Sequence, residues 1–200
     1  ALMVGSYVDA YFSNELEQFK ASHPELFKRD GSLKAEFQNA HAIAERLNRD
    51  ELARMLLSGK HQVIKTGRIA GVWYKTKADS LLSSRQVEAI CKKFPSVKNL
   101  VPFGGAIIVD LKCMKDFNPI WDEDTHEKVS FVHFWGYDIQ GAIYQKVDNR
   151  MAPFVIVGVT KEAEPDITAV HIPDEDLSFA LADVEALSPR YAAIKKGEIA

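Results

Sequence analysis

The stretch Ile107-Ile108-Val109-Asp110-Leu111-Lys112 decides the reading of this chain: a β-branched apolar run ending in a carboxylate and an amine two positions apart. Side chains alternate faces along a strand, so Asp110 and Lys112 project together while Leu111 packs on the other side. An anionic oxygen ligand beside a cation at a strand end suits a site that holds a divalent ion and activates water. Upstream, Trp73-Tyr74-Lys75-Thr76-Lys77-Ala78-Asp79 ends a second strand-like run with another carboxylate. Lys75 and Lys77 alternate onto the strand face of Asp79, where either ammonium can meet a phosphate backbone. Two acids and a lysine on neighbouring strands point to phosphodiester hydrolysis.

Working outward, His61 to Lys65 and Ile69 to Leu82 read as strands joined at Thr66-Gly67-Arg68, and Ala106 to Met114 as a third strand. Val4 to Phe19 has helical spacing at Val8, Tyr11, Phe12 and Leu16, and His23-Pro24 breaks it. Ser32 is placed to cap a long helix from Leu33 to about Leu57. Ser84 to Lys93 reads as a short helix and 94–105 as a loop, and this insertion between two strands suits a lid as well as inert surface. Val129 to Val147 is helical by pattern, with Phe131, Phe134 and Trp135 expected on its buried side. Pro153 to Thr160 reads as a buried strand, Ile167 to Ile172 as an alternating one, and Asp174 as the cap of a final helix carrying Leu177, Leu181, Val184 and Leu187. No repeat, low-complexity segment or linker interrupts the chain. The expected architecture is a single mixed α/β domain over residues 1–200, a central mixed sheet of about five strands flanked by helices.

Composition narrows the classes. With 200 residues, 46% apolar and 26% charged, the chain has the balance of an ordinary soluble globular protein. Its net charge of -3 supplies no global attraction to nucleic acid, so DNA binding must come from local basic patches and metal ions. Cys91 and Cys113 are too few for a disulfide framework or a zinc site, which favours a reducing cytoplasm. No apolar run reaches the roughly 20 residues of a membrane helix. The opening Ala1-Leu2-Met3-Val4-Gly5 lacks a signal-peptide pattern, and the missing initiator methionine is what an internal or trimmed start would give.

The hairpin, the strand ending Asp110-Leu111-Lys112 and the following helix resemble the PD-(D/E)XK nuclease superfamily. Asp79 and Asp110 stand where its two carboxylates fall, and Lys112 where its lysine falls. Gln140 and Tyr144 match the Gln-xxx-Tyr helix motif of the RecB-like and phage exonuclease branch; their i, i+4 spacing puts both on one helix face, within reach of the site or a DNA phosphate. Gly5-Ser6-Tyr7-Val8-Asp9 is similar to the Gly-xxx-His segment that opens these exonucleases, with Asp9 where His is common. A carboxylate still binds a hard cation, so the departure bears on metal preference and pH dependence. Over nearly the whole chain the pattern is similar to RecE-like, lambda-exonuclease-type proteins, often labelled exodeoxyribonuclease VIII.

The resemblance implies a restriction-endonuclease-like core and an Mg²⁺-dependent (or Mn²⁺-dependent) exonuclease acting on double-stranded DNA ends in phage-type recombination. A single-strand annealing protein and a homo-oligomer are the implied partners, and no iron–sulfur cluster is implied. Asp9, Asp79 and Asp110 would hold metal, with the Leu111 carbonyl as a further ligand. Lys112 would orient or deprotonate water and neutralise charge on the phosphorane, its pKa open to lowering by burial beside metals. Lys161, after the buried strand, is a third candidate for the DNA backbone. Two alternatives stay open: a RecB-like or CRISPR-associated nuclease of different polarity, and a DNA-binding scaffold of the same fold with little hydrolytic activity. His126, His133 and Glu51 read as ordinary surface or satisfied polar residues.

Overall fold

A computed structural model describes residues 2–99 and 105–199 of the chain. Helices α1 (Leu2–Phe12), α2 (Leu16–Ser22), α3 (Ala35–Arg49) and α4 (Glu51–Leu56) precede a hairpin of β1 (Lys60–Ile69) and β2 (Val72–Leu82). Then come α5 (Ser84–Lys93), β3 (Ile107–Met114) and a small hairpin, β4 (Ile120–Asp122) and β5 (Glu127–Val129). The chain closes with α6 (Phe131–Phe134), α7 (Tyr137–Asp148), β6 (Phe154–Thr160), β7 (Ile167–His171) and α8 (Asp174–Lys195). The main sheet has five strands in the order β1-β2-β3-β6-β7. Only β3 and β6 run parallel; the other neighbours are antiparallel. This is the mixed sheet flanked by helices that the hydrophobic pattern predicts.

Strand alternation divides the core into two layers. Ile107, Val109, Val155, Val157 and Val159 pack against α1, α3 and α4 through Val8, Ile43, Leu47 and Leu56. Ile108, Phe154 and Ile156 face the other way, against Ala142 of α7 and Leu177 and Ala180 of α8. All seven residues of β6 are buried, as a strand covered by helices on both faces requires. The C-terminal end of α7 is tied to β1 by Asp148, which pairs with Lys65 and accepts a bidentate contact from Arg150 at 2.7 and 2.9 Å.

Several expected boundaries shift, each for a local reason. The hairpin turn is Ala70-Gly71, not Thr66-Gly67-Arg68: both turn residues have positive φ, +47° and +81°, as a two-residue turn matching the strand twist requires. Gly67 instead lies within β1, where an added Cβ would stand 3.4 Å from the Val147 Cα. The Val4–Phe19 helix breaks at Asn14, whose φ is +60°. The long Leu33–Leu57 helix starts at Ala35 after Lys34 rather than a Ser32 cap, and breaks at Asp50. There the Asp50 side chain accepts the Ala53 N–H at 3.0 Å and begins α4. The Val129–Val147 helix divides at Gly136, φ +65°, so Phe131 is buried while Phe134 and Trp135 turn outward, Trp135 to 58% exposure. Pro173 rather than Asp174 stands at the start of α8, and Asp174 instead accepts from Gln145 Nε2 at 3.1 Å. The β4–β5 hairpin went unread because its strands hold too few residues for a period-two signal.

In the 83–105 insertion, α5 packs on the core through Val87 and Ile90, and Val97 is buried beside them; the remainder of the expected loop, 100–104, lies outside the described residues. Among the described residues no helix is long and apolar enough to cross a membrane.

Helix α7 carries Gln140 and approaches the sheet closely because Gly141 has no side chain. A Cβ there would stand 2.8 Å from both the Phe154 ring and a Leu177 methyl. Gly141→Ala is expected to overpack this contact and cost about 1–3 kcal/mol, read as a lower urea midpoint with an unchanged m-value.

Candidate active site

The site forms where two strands part. The β2–β3 ladder runs through Leu82↔Ile107, Leu81↔Ile108 and Ser80↔Val109, and then stops. Beyond that point β3 stays paired with β6 as far as Met114↔Thr160, while β2 stays paired with β1. Asp79 and Asp110 stand at the fork. In place of a ladder bond, the Asp79 carboxylate accepts the Leu111 N–H on Oδ2 at 2.8 Å.

Asp110 is 2% exposed. Its Oδ1 accepts from Gln140 Nε2 at 2.7 Å, and its Oδ2 lies 2.5 Å from Lys112 Nζ as an ion pair without a directional hydrogen bond. Leu111 packs into the opposite layer, as alternation requires. The Lys112 ammonium also lies 5.0 Å from the centre of the Tyr137 ring, a cation–π distance. One turn along α7 from Gln140, the Tyr144 hydroxyl donates to the Lys77 carbonyl at 2.9 Å. The two motif residues divide the labour: Gln140 orients the second acid, and Tyr144 holds β2 where it has left β3.

Asp9 arrives from the other layer. Tyr7 and Val8 are fully buried and fix α1 against the core. Asp9 Oδ1 accepts from Gln62 Nε2 at 2.8 Å, and Asp9 feels the charges of both Lys77 and Asp110. Lys75 and Lys77 are exposed on β2. Lys161 follows β6, its N–H donating to the Met114 carbonyl at 2.9 Å at the end of β3, and its charge is felt by Cys113, which also feels those of Asp9, Asp79 and Lys112.

Burial dominates the electrostatics. It pushes Asp79 up to about 7, with help from the charges of Asp110 and Asp9. It raises Asp110 as well, against the opposing pull of Lys112 and Gln140, and raises Asp9 against Lys77 and Gln62. Burial alone would lower Lys112, but Asp110 and Asp79 more than offset it and raise the ammonium above its usual value. The expected lowering of Lys112 is therefore not its resting condition here.

The donor set fits a hard divalent ion: carboxylate oxygens, no thiolate and no imidazole. Asp110 Oδ2 and Gln62 Oε1 are the two buried side-chain atoms among the described residues without a hydrogen-bond partner. The acids are closed onto protein N–H donors, and among the described residues no three His, Cys, Asp or Glu side chains form a ready-made ion cage. Leu111 enters by its N–H; its carbonyl as a ligand stays an expectation.

Two residues at the site were not anticipated. Tyr137 stands three positions before Gln140, on the same helix face, a spacing that could have found it. Gln62 has no local signal; it stands across from Asp79 only through strand register. Of the rest, His133 Nδ1 pairs with Asp138 at 2.8 Å and Glu51 pairs with Arg54 at 3.8 Å and with Lys93, so both are satisfied outside the site.

Fold and site together define a PDDEXK nuclease-like protein. The family model described as "PDDEXK-like domain of unknown function (DUF3799)" matches residues 1–94 and 100–200, and the chain belongs to that family. A crystal structure of a candidate exonuclease from Eubacterium rectale, at 2.19 Å resolution, superposes with a TM-score of 0.83 and 40% identity, over 100% of this chain and 69% of that one. No curated protein matches the chain significantly. Family and neighbour support a nuclease hydrolase, and nucleases of this class generally use divalent metals.

A carboxyl whose folded-state pKa is raised stabilises the fold below its unfolded value and loses that contribution as pH rises through the folded one. For Asp79 the window runs from its ordinary value of 3.8 to about 7. In EDTA the melting temperature should therefore fall between about pH 4 and about pH 7, and Asp79→Asn should flatten that fall. A wild-type profile that rises with pH over this window would contradict the assignment.

Proposed function

We propose that this protein is a metal-dependent exodeoxyribonuclease that hydrolyses phosphodiester bonds from the ends of duplex DNA. The observation that carries the reading is the fork itself: Asp79 and Asp110 at the point where β2 leaves β3, with Lys112 paired to the second acid. Its support as an exonuclease is the Gln140–Tyr144 helix, together with the neighbour of that description. Action on duplex ends, phage-type recombination beside an annealing protein and a homo-oligomeric assembly rest on the resemblance of those motifs, and a cytoplasmic setting on the sparse cysteines.

Asp9, Asp79 and Asp110 would hold Mg²⁺ or Mn²⁺, with the Leu111 carbonyl as a further ligand. Bound there, the cation supplies Lewis-acid polarisation of the phosphate and a more acidic water. The chain's own groups do the remainder. Lys112, held as an ammonium by Asp110, faces the scissile phosphate and neutralises charge that builds on its oxygens. Gln140 keeps Asp110 in one orientation, and Tyr144 keeps β2 from re-pairing with β3.

DNA has a route to this point. The cross-strand pairs Ile64↔Lys77, Thr66↔Lys75 and Arg68↔Trp73 place an exposed row along the hairpin from the Asp79 end to its tip. At the tip the Arg68 guanidinium lies 4.7 Å from the Trp73 ring centre. The row spans about 20 Å at the usual strand rise and offers cations for phosphates and a ring for a base. On the other side a cavity of about 510 Å³ opens beside His61, lined also by Tyr11, Asn48 and Arg54. His61 Nδ1 lies 3.3 Å from the Asp79 backbone carbonyl.

The purified protein should degrade end-labelled linear duplex DNA in Mg²⁺ or Mn²⁺ and leave covalently closed circles intact. Asp110→Ala and Lys112→Ala should each lower the rate by at least about 100-fold, the scale of a lost transition-state charge contact. Cleavage of closed circles would overturn the exonuclease reading. DNA binding without cleavage of any substrate would favour a scaffold. Lys75→Ala and Lys77→Ala should raise KM and reduce the salt dependence of binding.

A further inference from the structure

Gln62 lies in β1 yet has φ +52°, the left-handed region where a residue with a side chain carries strain. The other described non-glycine residues with positive φ fall between elements or at their ends: Asn14, Ala70, His126, Asn149 and Met151. Gln62 alone among them sits inside a paired strand. The pairs on either side, His61↔Ser80 and Val63↔Ala78, put it directly across from Asp79. Strain of this kind persists only where surrounding structure over-determines it, and it gathers at functional sites.

The amide has a defined orientation. Gln62 Nε2 donates to Asp9 Oδ1 at 2.8 Å. An ionised carboxylate only accepts, so the nitrogen must face Asp9 and Oε1 must point elsewhere. That oxygen is out of contact with solvent and has no hydrogen-bond partner among the described residues. The other buried oxygen there without a directional hydrogen bond, Asp110 Oδ2, is paired instead with the Lys112 ammonium. Buried polar atoms are nearly always satisfied, so each exception needs an explanation. An orphaned amide oxygen beside a group of carboxylates has an explanation in a hard cation.

We propose that Gln62 Oε1 is an oxygen ligand of the divalent cation held by Asp9, Asp79 and Asp110, an assignment that rests on the metal-dependent reading above. A neutral amide oxygen enlarges the donor set without adding a further negative charge beside three neighbouring carboxylates. The left-handed backbone is the conformation that brings this side chain to Asp9 across from Asp79.

Titration calorimetry with Mn²⁺ alone tests the assignment, together with melting temperatures in EDTA. Wild type should bind Mn²⁺, and Asp110→Ala should lose that binding. Gln62→Ala and Gln62→Gly should each weaken it about 10- to 100-fold, the range found for groups that tune a metal site. Glycine adopts positive φ freely, so Gln62→Gly should melt no lower than wild type in EDTA, separating lost binding from lost folding. The Asp9→Asn/Gln62→Ala pair should bind more weakly than Asp9→Asn alone. Binding by the Gln62 variants within about twofold of wild type, or a double variant no weaker than Asp9→Asn, overturns the ligand role while leaving the metal-dependent reading standing. Wild type that binds no Mn²⁺ removes both.

Discussion

The Asp79 carboxylate accepting the Leu111 N–H at 2.8 Å is the contact on which the site depends. Continuing the ladder past Ser80↔Val109 would have paired that stretch of β3 with backbone and closed the fork. With a side chain serving instead, β2 diverges while β3 keeps its full pairing to β6. The Tyr144 hydroxyl on the Lys77 carbonyl holds the diverging strand from the helix side. An opening between two strands is thus kept satisfied on both of its edges, and buried backbone polar groups tolerate little else.

The acids at this opening weaken the fold that holds them. A hydrogen bond to a charged group contributes about 1.5–3 kcal/mol net, whereas desolvating an ion in a protein costs several kcal/mol. Here the second effect wins, because Asp9, Asp79 and Asp110 all have raised pKa values despite Gln62, Leu111, Gln140 and Lys112. The fully buried β6 and the two apolar layers around it carry that cost. Sequences depart from locally stabilising choices mainly at working sites, and this cluster is such a departure.

Sequence periodicity was enough to locate the sheet and most of the site. Period-two alternation put Asp110 and Lys112 on one face and Leu111 on the other, and i, i+4 spacing put Gln140 and Tyr144 together; each relation depends only on local geometry. The helix breaks at Asn14, Asp50 and Gly136 escaped notice because each is a single backbone conformation inside a continuous apolar pattern. The error at Thr66-Gly67-Arg68 had a related root: a glycine was read as a turn when it lies inside β1, facing Val147. Gln62 was beyond reach, since its position depends on strand register and a left-handed φ that no residue type announces. The exposed Trp135 shows the converse failure, an aromatic that periodicity assigns to the core and a broken helix turns outward.

Net charge separates binding from chemistry in this molecule. At -3 overall, the chain offers DNA no long-range attraction, so on the function proposed above affinity would come from the exposed row of Lys77, Lys75 and Arg68. That row would serve a scaffold equally well. The fork would not: a binding surface gains nothing from an acid pushed up to about 7, a fully buried one locked to Gln140, and a glutamine strained into the left-handed region opposite them. A negative cluster would in fact repel the phosphates that the row attracts. On the function proposed above, a cation held among the acids would reverse that sign and join the basic row and the fork into one device.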